Sequence, residues 1–269
     1  QQPDKTDWDP EDINYNTFRW ITSGRGFAMG PSRVNPRTGQ ILDADIIFDA
    51  DFVKHWRNEF ENYMPENTAW LSSSNESRTR TSIGHSQSSS CGCGQCNLFS
   101  GHAFQNALGA TALAATQDSI ISDEEQKKLI QQGLRLVAMH EVGHTLGLRH
   151  NFKGSSVASL DQINSKKNVD RRSATTSVMD YVPVNIVPKG SFQGPYYPTR
   201  LGPYDYWAID YGYRPISGTT PKAERPTLLK IASRSGESQL AFATDEDTTA
   251  GDPDPLSNRY DLGNDPIAF

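Results

Sequence analysis

Apolar residues follow two rhythms along this chain. Near the start they form short runs bounded by turn residues: Phe18 to Thr22 (FRWIT), Phe27 to Val34 with Gly30 and Pro31 interrupting it, and Ile41 to Phe48 (ILDADIIF). Runs of this length and content predict strands. Between the last two lies Asn35-Pro-Arg-Thr-Gly39, where Pro36 presets φ and Gly39 can take positive φ, so the pair reads as a hairpin. The rhythm then becomes helical. Asp51 to Tyr63 sets Phe52, Trp56, Phe60 and Tyr63 on one face, and Ala103 to Thr116 is an alanine-rich helix. A further helix opens at Ser122, with Glu125 three residues on as a capping box and a stripe of Leu129, Ile130, Gly133, Leu134 and Val137. It should run to about Leu146, with Gly147 ending it. Residues 1–16 and the Ser-, Gly- and Cys-rich stretch 71–101 read as loops. From 215 onward Pro, Asp, Ser and Thr dominate with few strong helices, as in an extension wrapped on the core or leading to a further domain.

Composition narrows the possibilities. A chain of 269 residues can bury a sizeable core, and 35% hydrophobic with 22% charged residues is unlike a disordered segment. The net charge of −6 comes without a basic stripe, which argues against a nucleic-acid partner. No apolar run is long enough to span a membrane, and the first residues, QQPDKTDWDP, lack the apolar region of a signal peptide.

The chemistry concentrates in His140-Glu-Val-Gly-His144-Thr-Leu-Gly147-Leu-Arg-His150. Two histidines four apart on a helix share a face and can bind one ion. Glu141 stands beside the first, placed to act on a metal-bound water as general base without ligating the metal. A straight helix would carry His150 past the ion, but a left-handed Gly147 turns the chain back. Three protein ligands leave one position open, which marks a catalytic rather than a structural zinc site. A lone histidine is ordinarily a surface or satisfied core residue, but three at this spacing with the Glu and Gly are not. His55, His85 and His102 lack such spacing and read as ordinary histidines.

This segment resembles the metzincin zinc signature, Ser177-Val-Met179-Asp-Tyr181 resembles the Met-turn, and Gly202-Pro-Tyr-Asp-Tyr-Trp-Ala-Ile-Asp-Tyr-Gly-Tyr213 resembles the helix closing metzincin C-terminal subdomains. With DPEDINYNTFRW, NPRTGQILDADI, MHEVGHTLGLRHNFKGS, SVMDYVPVNI and LGPYDYWAIDYGY, the chain is most similar to large bacterial zinc-dependent metalloproteases of the Met-zincin group, over about residues 8–215. The resemblance implies an α+β (α/β) metzincin-like domain: a twisted, mostly parallel sheet, a zinc-binding active-site helix, a Met-turn and an irregular C-terminal subdomain. It implies a catalytic domain over 1–213 without the family's first strand and helix, and an extension or start of a further domain over 214–269. It also implies zinc endopeptidase activity with ligands His140, His144 and His150, general base Glu141, a structural Met179, and Tyr181 as an oxyanion-stabilising or zinc-coordinating residue. The substrate would be an extended peptide on the edge strand 26–34, the location secreted, periplasmic or cell-surface in a bacterium. An associated N-terminal fragment of the same precursor would complete the sheet and bury Trp20 and Ile21. The alternative functions are a non-catalytic zinc-retaining binding module and a hydrolase of non-peptide bonds.

Two features lie outside that pattern. Cys91, Cys93 and Cys96 admit a disulfide with a spare thiol, a soft-metal site with His85 or His102, or a disulfide to a missing N-terminal portion. The acidic residues Asp245, Glu246, Asp247, Asp252, Asp254, Asp261 and Asp265 offer oxygen ligands for calcium, but without an ordered ligand loop they read as solvated loop acids.

Overall fold

A computed structural model of the chain describes residues 9–23, 27–51, 53–54, 105, 108–109, 122–218, 220–248 and 254–269. The helices expected over Asp51–Tyr63 and Ala103–Thr116, the cysteine cluster, and His55, His85 and His102 lie wholly or largely outside the described residues.

The strands are β1 (Thr17–Ile21), β2 (Ala28–Met29), β3 (Ser32–Val34) and β4 (Ile41–Asp49). β4 is the hub: β1 runs parallel to it, with Trp20 beside Phe48, and β2 and β3 run antiparallel. The turn before β4 closes with Gly39 at φ +73 and its N–H donating 2.8 Å to Asn35 O. A strand that reaches its neighbour through so short a turn must be antiparallel. Among the described residues the sheet is therefore mixed, where the sequence suggested mostly parallel strands. Ile46 and Phe48 alternate onto the core face of β4. Phe18 and Trp20 pack on Phe48 with ring centroids 4.8 and 5.5 Å away, yet each is 51% exposed.

Helix α1 (Asp123–Thr145) is packed from two sides. One cluster joins its Val137 to Ala28, Ile46 and Phe48 of the sheet and to Phe152 and Tyr181. The other joins its Leu129 and Leu136 to Val178, Met179, Val182, Val184, Tyr196 and Tyr197. Each such side chain contributes roughly 1.5–3 kcal/mol on full burial, so this helix is held far more by packing than by propensity. Ser122 caps it, accepting from Glu125 N at 3.2 Å. The other half of the expected capping box is replaced: the Glu125 carboxylate accepts from Tyr196 Oη at 2.7 Å, tying the helix start to the second cluster.

Beyond α1 the chain is mostly irregular, with α2 (Leu160–Ile163), α3 (Pro203–Tyr213) and α4 (Pro221–Ala232). The last is a twelve-residue helix in the region where few strong helices were expected. Its start carries the legible signals, Thr220 as cap and Pro221 at the first position, and only Pro226 sits inside. The segment after α4 returns to the core. Phe152 N donates to Ala243 O at 2.8 Å, Tyr260 N to Tyr181 O at 2.6 Å, and Gly263 N to Ser155 O at 3.2 Å. Among the described residues no helix is long and apolar enough to cross a membrane.

Candidate metal centre

The last turns of α1 carry His140, Glu141 and His144, and the helix stops where the third histidine has to turn back. Gly147 takes φ +88, its N–H reaching His144 O at 2.9 Å, while Leu148 N reaches Gly143 O at 3.0 Å. These two bonds form a Schellman end, which a residue with a Cβ would enter only under strain. The chain reverses there and His150 faces the other two rings, at centroid distances of 5.4 Å from His140 and 4.9 Å from His144.

The donor set fits a zinc ion in kind. One ligand-capable nitrogen from each histidine lies within 4.8 Å of the others, and three imidazoles are a donor set that zinc takes, provided the rings draw closer around the ion. The outer nitrogens are already committed. Nδ1–H of His140 donates to Val178 O at 2.8 Å, Nδ1–H of His144 to Leu148 O at 3.0 Å, and Nδ1–H of His150 to Asp245 Oδ2 at 2.7 Å. Because each acceptor is an oxygen that can only accept, each ring carries its proton on Nδ1 and its lone pair on Nε2. Burial, helped by the neighbouring His150, lowers the His144 pKa, which favours the neutral imidazole that a metal needs.

Glu141 is buried, and its Oε1 has no hydrogen-bond partner among the described residues. Burial pushes its carboxyl up to about 7, against the pull of the Gly30 N–H that donates to it. A carboxylate with that pKa is matched to taking and returning a proton near neutrality. Gly30 stands at the break between β2 and β3, pressed so close to α1 that a Cβ there would collide with the Glu141 carbonyl. The interrupted edge strand and the carboxylate are thus one assembly.

Beneath the histidines lies Met179, fully buried, with its Sδ against Gly143, where a Cβ would leave it no room. The turn that carries it is pinned by Asp205 from α3. That carboxylate accepts from Ser177 Oγ at 2.7 Å, Val178 N at 3.0 Å and Gly202 N at 2.8 Å. Tyr181 is buried with its hydroxyl 3.0 Å from His150 Nε2, so the phenol points into the histidine cluster from the side opposite Asp245.

Sequence reasoning did not single out Gly30, Asp205 or Asp245 as parts of the site. Asp205 carried a weak signal, an acid three residues after a helix-opening Gly202-Pro; Asp245 lay in an acidic run with nothing to mark it. The described acids of that run are held within the chain: Asp245 by His150 and Arg259, Glu246 by Arg149, Asp247 by Thr244 N, Asp254 by Lys153, Asp261 by Ser155 and Asp265 by Ile267 N.

Comparison with known families gives two matches. The model of the Met-zincin family matches residues 122–269, and that of the matrixin peptidases matches residues 35–171. The first spans the zinc helix, the Met-turn and the C-terminal segment; the second takes in β4, the only strand of the described sheet within it, and the zinc helix. No curated protein and no solved structure matches the chain.

Proposed function

Because the chain belongs to the Met-zincin family, a group of metzincin zinc-dependent peptidases, we propose that it is an endopeptidase working at this centre on extended peptide or protein substrates. The observation that carries this reading is the convergence of three Nε2 lone pairs beside a buried carboxylate that, among the described residues, lacks a partner on one oxygen. His140, His144 and His150 would hold the ion. When bound, zinc supplies Lewis acidity, bringing the pKa of a water toward neutrality and polarising the scissile carbonyl.

The chain's own groups do the rest. Glu141 accepts the proton of the attacking water and returns it to the leaving amine nitrogen. The Tyr181 hydroxyl, directed at the cluster, donates to the carbonyl oxygen as it gains negative charge. Met179 and Gly143 make the apolar floor. Residues 27–34, at the edge of the sheet beside the centre, offer main-chain groups to a substrate lying as an added strand. Matrixin-like peptidases are often extracellular, and a secreted or cell-surface location fits the same reading.

The test pairs metal with turnover. Wild-type protein should contain one zinc and cleave an unstructured protein substrate. Glu141→Ala should keep the zinc and lose at least ~10²-fold in rate. His144→Ala/His150→Ala should lose the metal itself. Zinc in the protein with no cleavage of any peptide would favour the binding-module reading, and a Glu141→Ala variant of wild-type rate would place the chemistry elsewhere.

A further inference from the structure

The three histidines are held differently. His140 and His144 lean on backbone carbonyls of Val178 and Leu148, which the local fold supplies. His150 instead donates to a carboxylate, Asp245 Oδ2, that comes from the 3-10 turn Asp245–Thr248. That carboxylate is fixed on both oxygens, for Arg259 Nη2 reaches Oδ1 at 3.0 Å. Arg259 is itself seated, with its guanidinium 4.8 Å over the Phe152 ring and 3.3 Å from Thr248 Oγ1. Next to Asp245, Glu246 takes Arg149 Nη2 at 2.7 and 2.6 Å, clamping the same turn to the residue before the histidine.

An ordinary surface ion pair is the competing account of the Asp245–His150 contact. The orientation of the ring decides against it. Nδ1 points to Asp245 while Nε2 points to the Tyr181 hydroxyl and the other two histidines. A solvated pair has no reason to set the opposite nitrogen toward two more imidazoles. A carboxylate behind a metal-ligating histidine fixes its tautomer and ring plane and makes the ligand nitrogen more basic.

We propose that Asp245 is a positioning residue that orients and activates His150 as the third metal ligand, so that the C-terminal segment is part of the metal centre. The proposal rests on the zinc reading given above. It assigns Arg259 the task of holding the carboxylate in place, and Glu246 only that of docking the turn.

The experiment uses the full chain as wild type, Asp245→Asn, Asp245→Ala and Glu246→Gln. Zinc affinity is measured by competition with a chromophoric chelator, and melting temperature with and without zinc. Asp245→Ala should bind zinc ~10–100-fold more weakly, the usual cost of losing such a partner. Asp245→Asn, which keeps the shape and an acceptor but loses the charge, should fall between it and wild type. Glu246→Gln should stay close to wild type. For Asp245→Asn the metal-free melting temperature should hold while the zinc-induced rise shrinks. Unchanged affinity in both Asp245 variants overturns the proposal. So does a lower metal-free melting temperature with an undiminished zinc increment, which would make Asp245 structural only. Should Asp245→Ala fail to fold, the Asn variant decides alone. Wild-type protein that binds no zinc overturns the metal reading itself, and the positioning role with it.

Discussion

Gly30→Ala is the sharpest probe of how the sheet edge and the zinc helix are joined. A Cβ at position 30 would overlap the Glu141 carbonyl oxygen and lie 3.2 Å from Thr145 Cγ2. The obstacle is helix backbone, which cannot swing aside like the end of a long side chain, so the β2–β3 arm has to move off α1. Overpacking of this kind costs about 1–3 kcal/mol. Shifting the arm also loosens the Gly30 backbone from the Glu141 carboxyl that it faces. Replacing Gly by Ala recovers only about 0.4–1 kcal/mol by restricting the unfolded chain. The loss wins, by about 1–2 kcal/mol. With a urea slope at the upper end of ~1–3 kcal/mol/M, the unfolding midpoint of the zinc-loaded protein should drop by roughly 0.5 M. Peptide turnover should fall in the same variant, because the edge strand and the general base are displaced together. A midpoint at or above wild type would refute the close approach and the reasoning built on it.

Tyr181→Phe should lower kcat with little change in KM, by the equivalent of about 3 kcal/mol if its hydroxyl acts only in the transition state; steady-state kinetics on a peptide would expose full activity, and with it a packing role. Burial first, then the charge of Asp261, pushes the Asp180 carboxyl up to about 8. The native state therefore keeps a proton that the unfolded chain releases near pH 4, and the associated stability, complete below that pH, is lost as pH rises through about 8. Chemical denaturation of Asp180→Asn between pH 6 and 9 should show a shallower decline than wild type, and parallel curves would contradict this.

The zinc helix was legible because its signals are local. A cap, a helical stripe, two histidines a turn apart and a glycine that must be left-handed all lie within residues 122–150. The strands were legible for the same reason, down to the break at Gly30 and Pro31. What escaped depends on chain segments that meet only in the fold. The Glu125 side chain abandons its own helix cap for Tyr196, because a buried phenol needs an acceptor and a solvated cap does not need that carboxylate. Asp205 looks like a helix-start acid and turns out to hold up the Met-turn. Asp245 has no local pattern at all, and its meaning appears only when residue 150 arrives beside it. The start of α4 is legible in hindsight, since Pro221 occupies the helical position where proline is welcome.

The bonds that close the loop after His150 reach far along the chain, Phe152 to Ala243 and Ser155 to Gly263. A growing polypeptide leaves the ribosome from its amino end, so the zinc helix emerges roughly a hundred residues before the segment that embraces it. Until then Phe152 has no strand-like neighbour to bond and Asn151 no carbonyl of Ala241 to hold. Such long closures are slow to form, because the chain loses loop entropy before any contact repays it. A chain wired this way completes the wall beside its third histidine only when residues 241–263 fold back onto it.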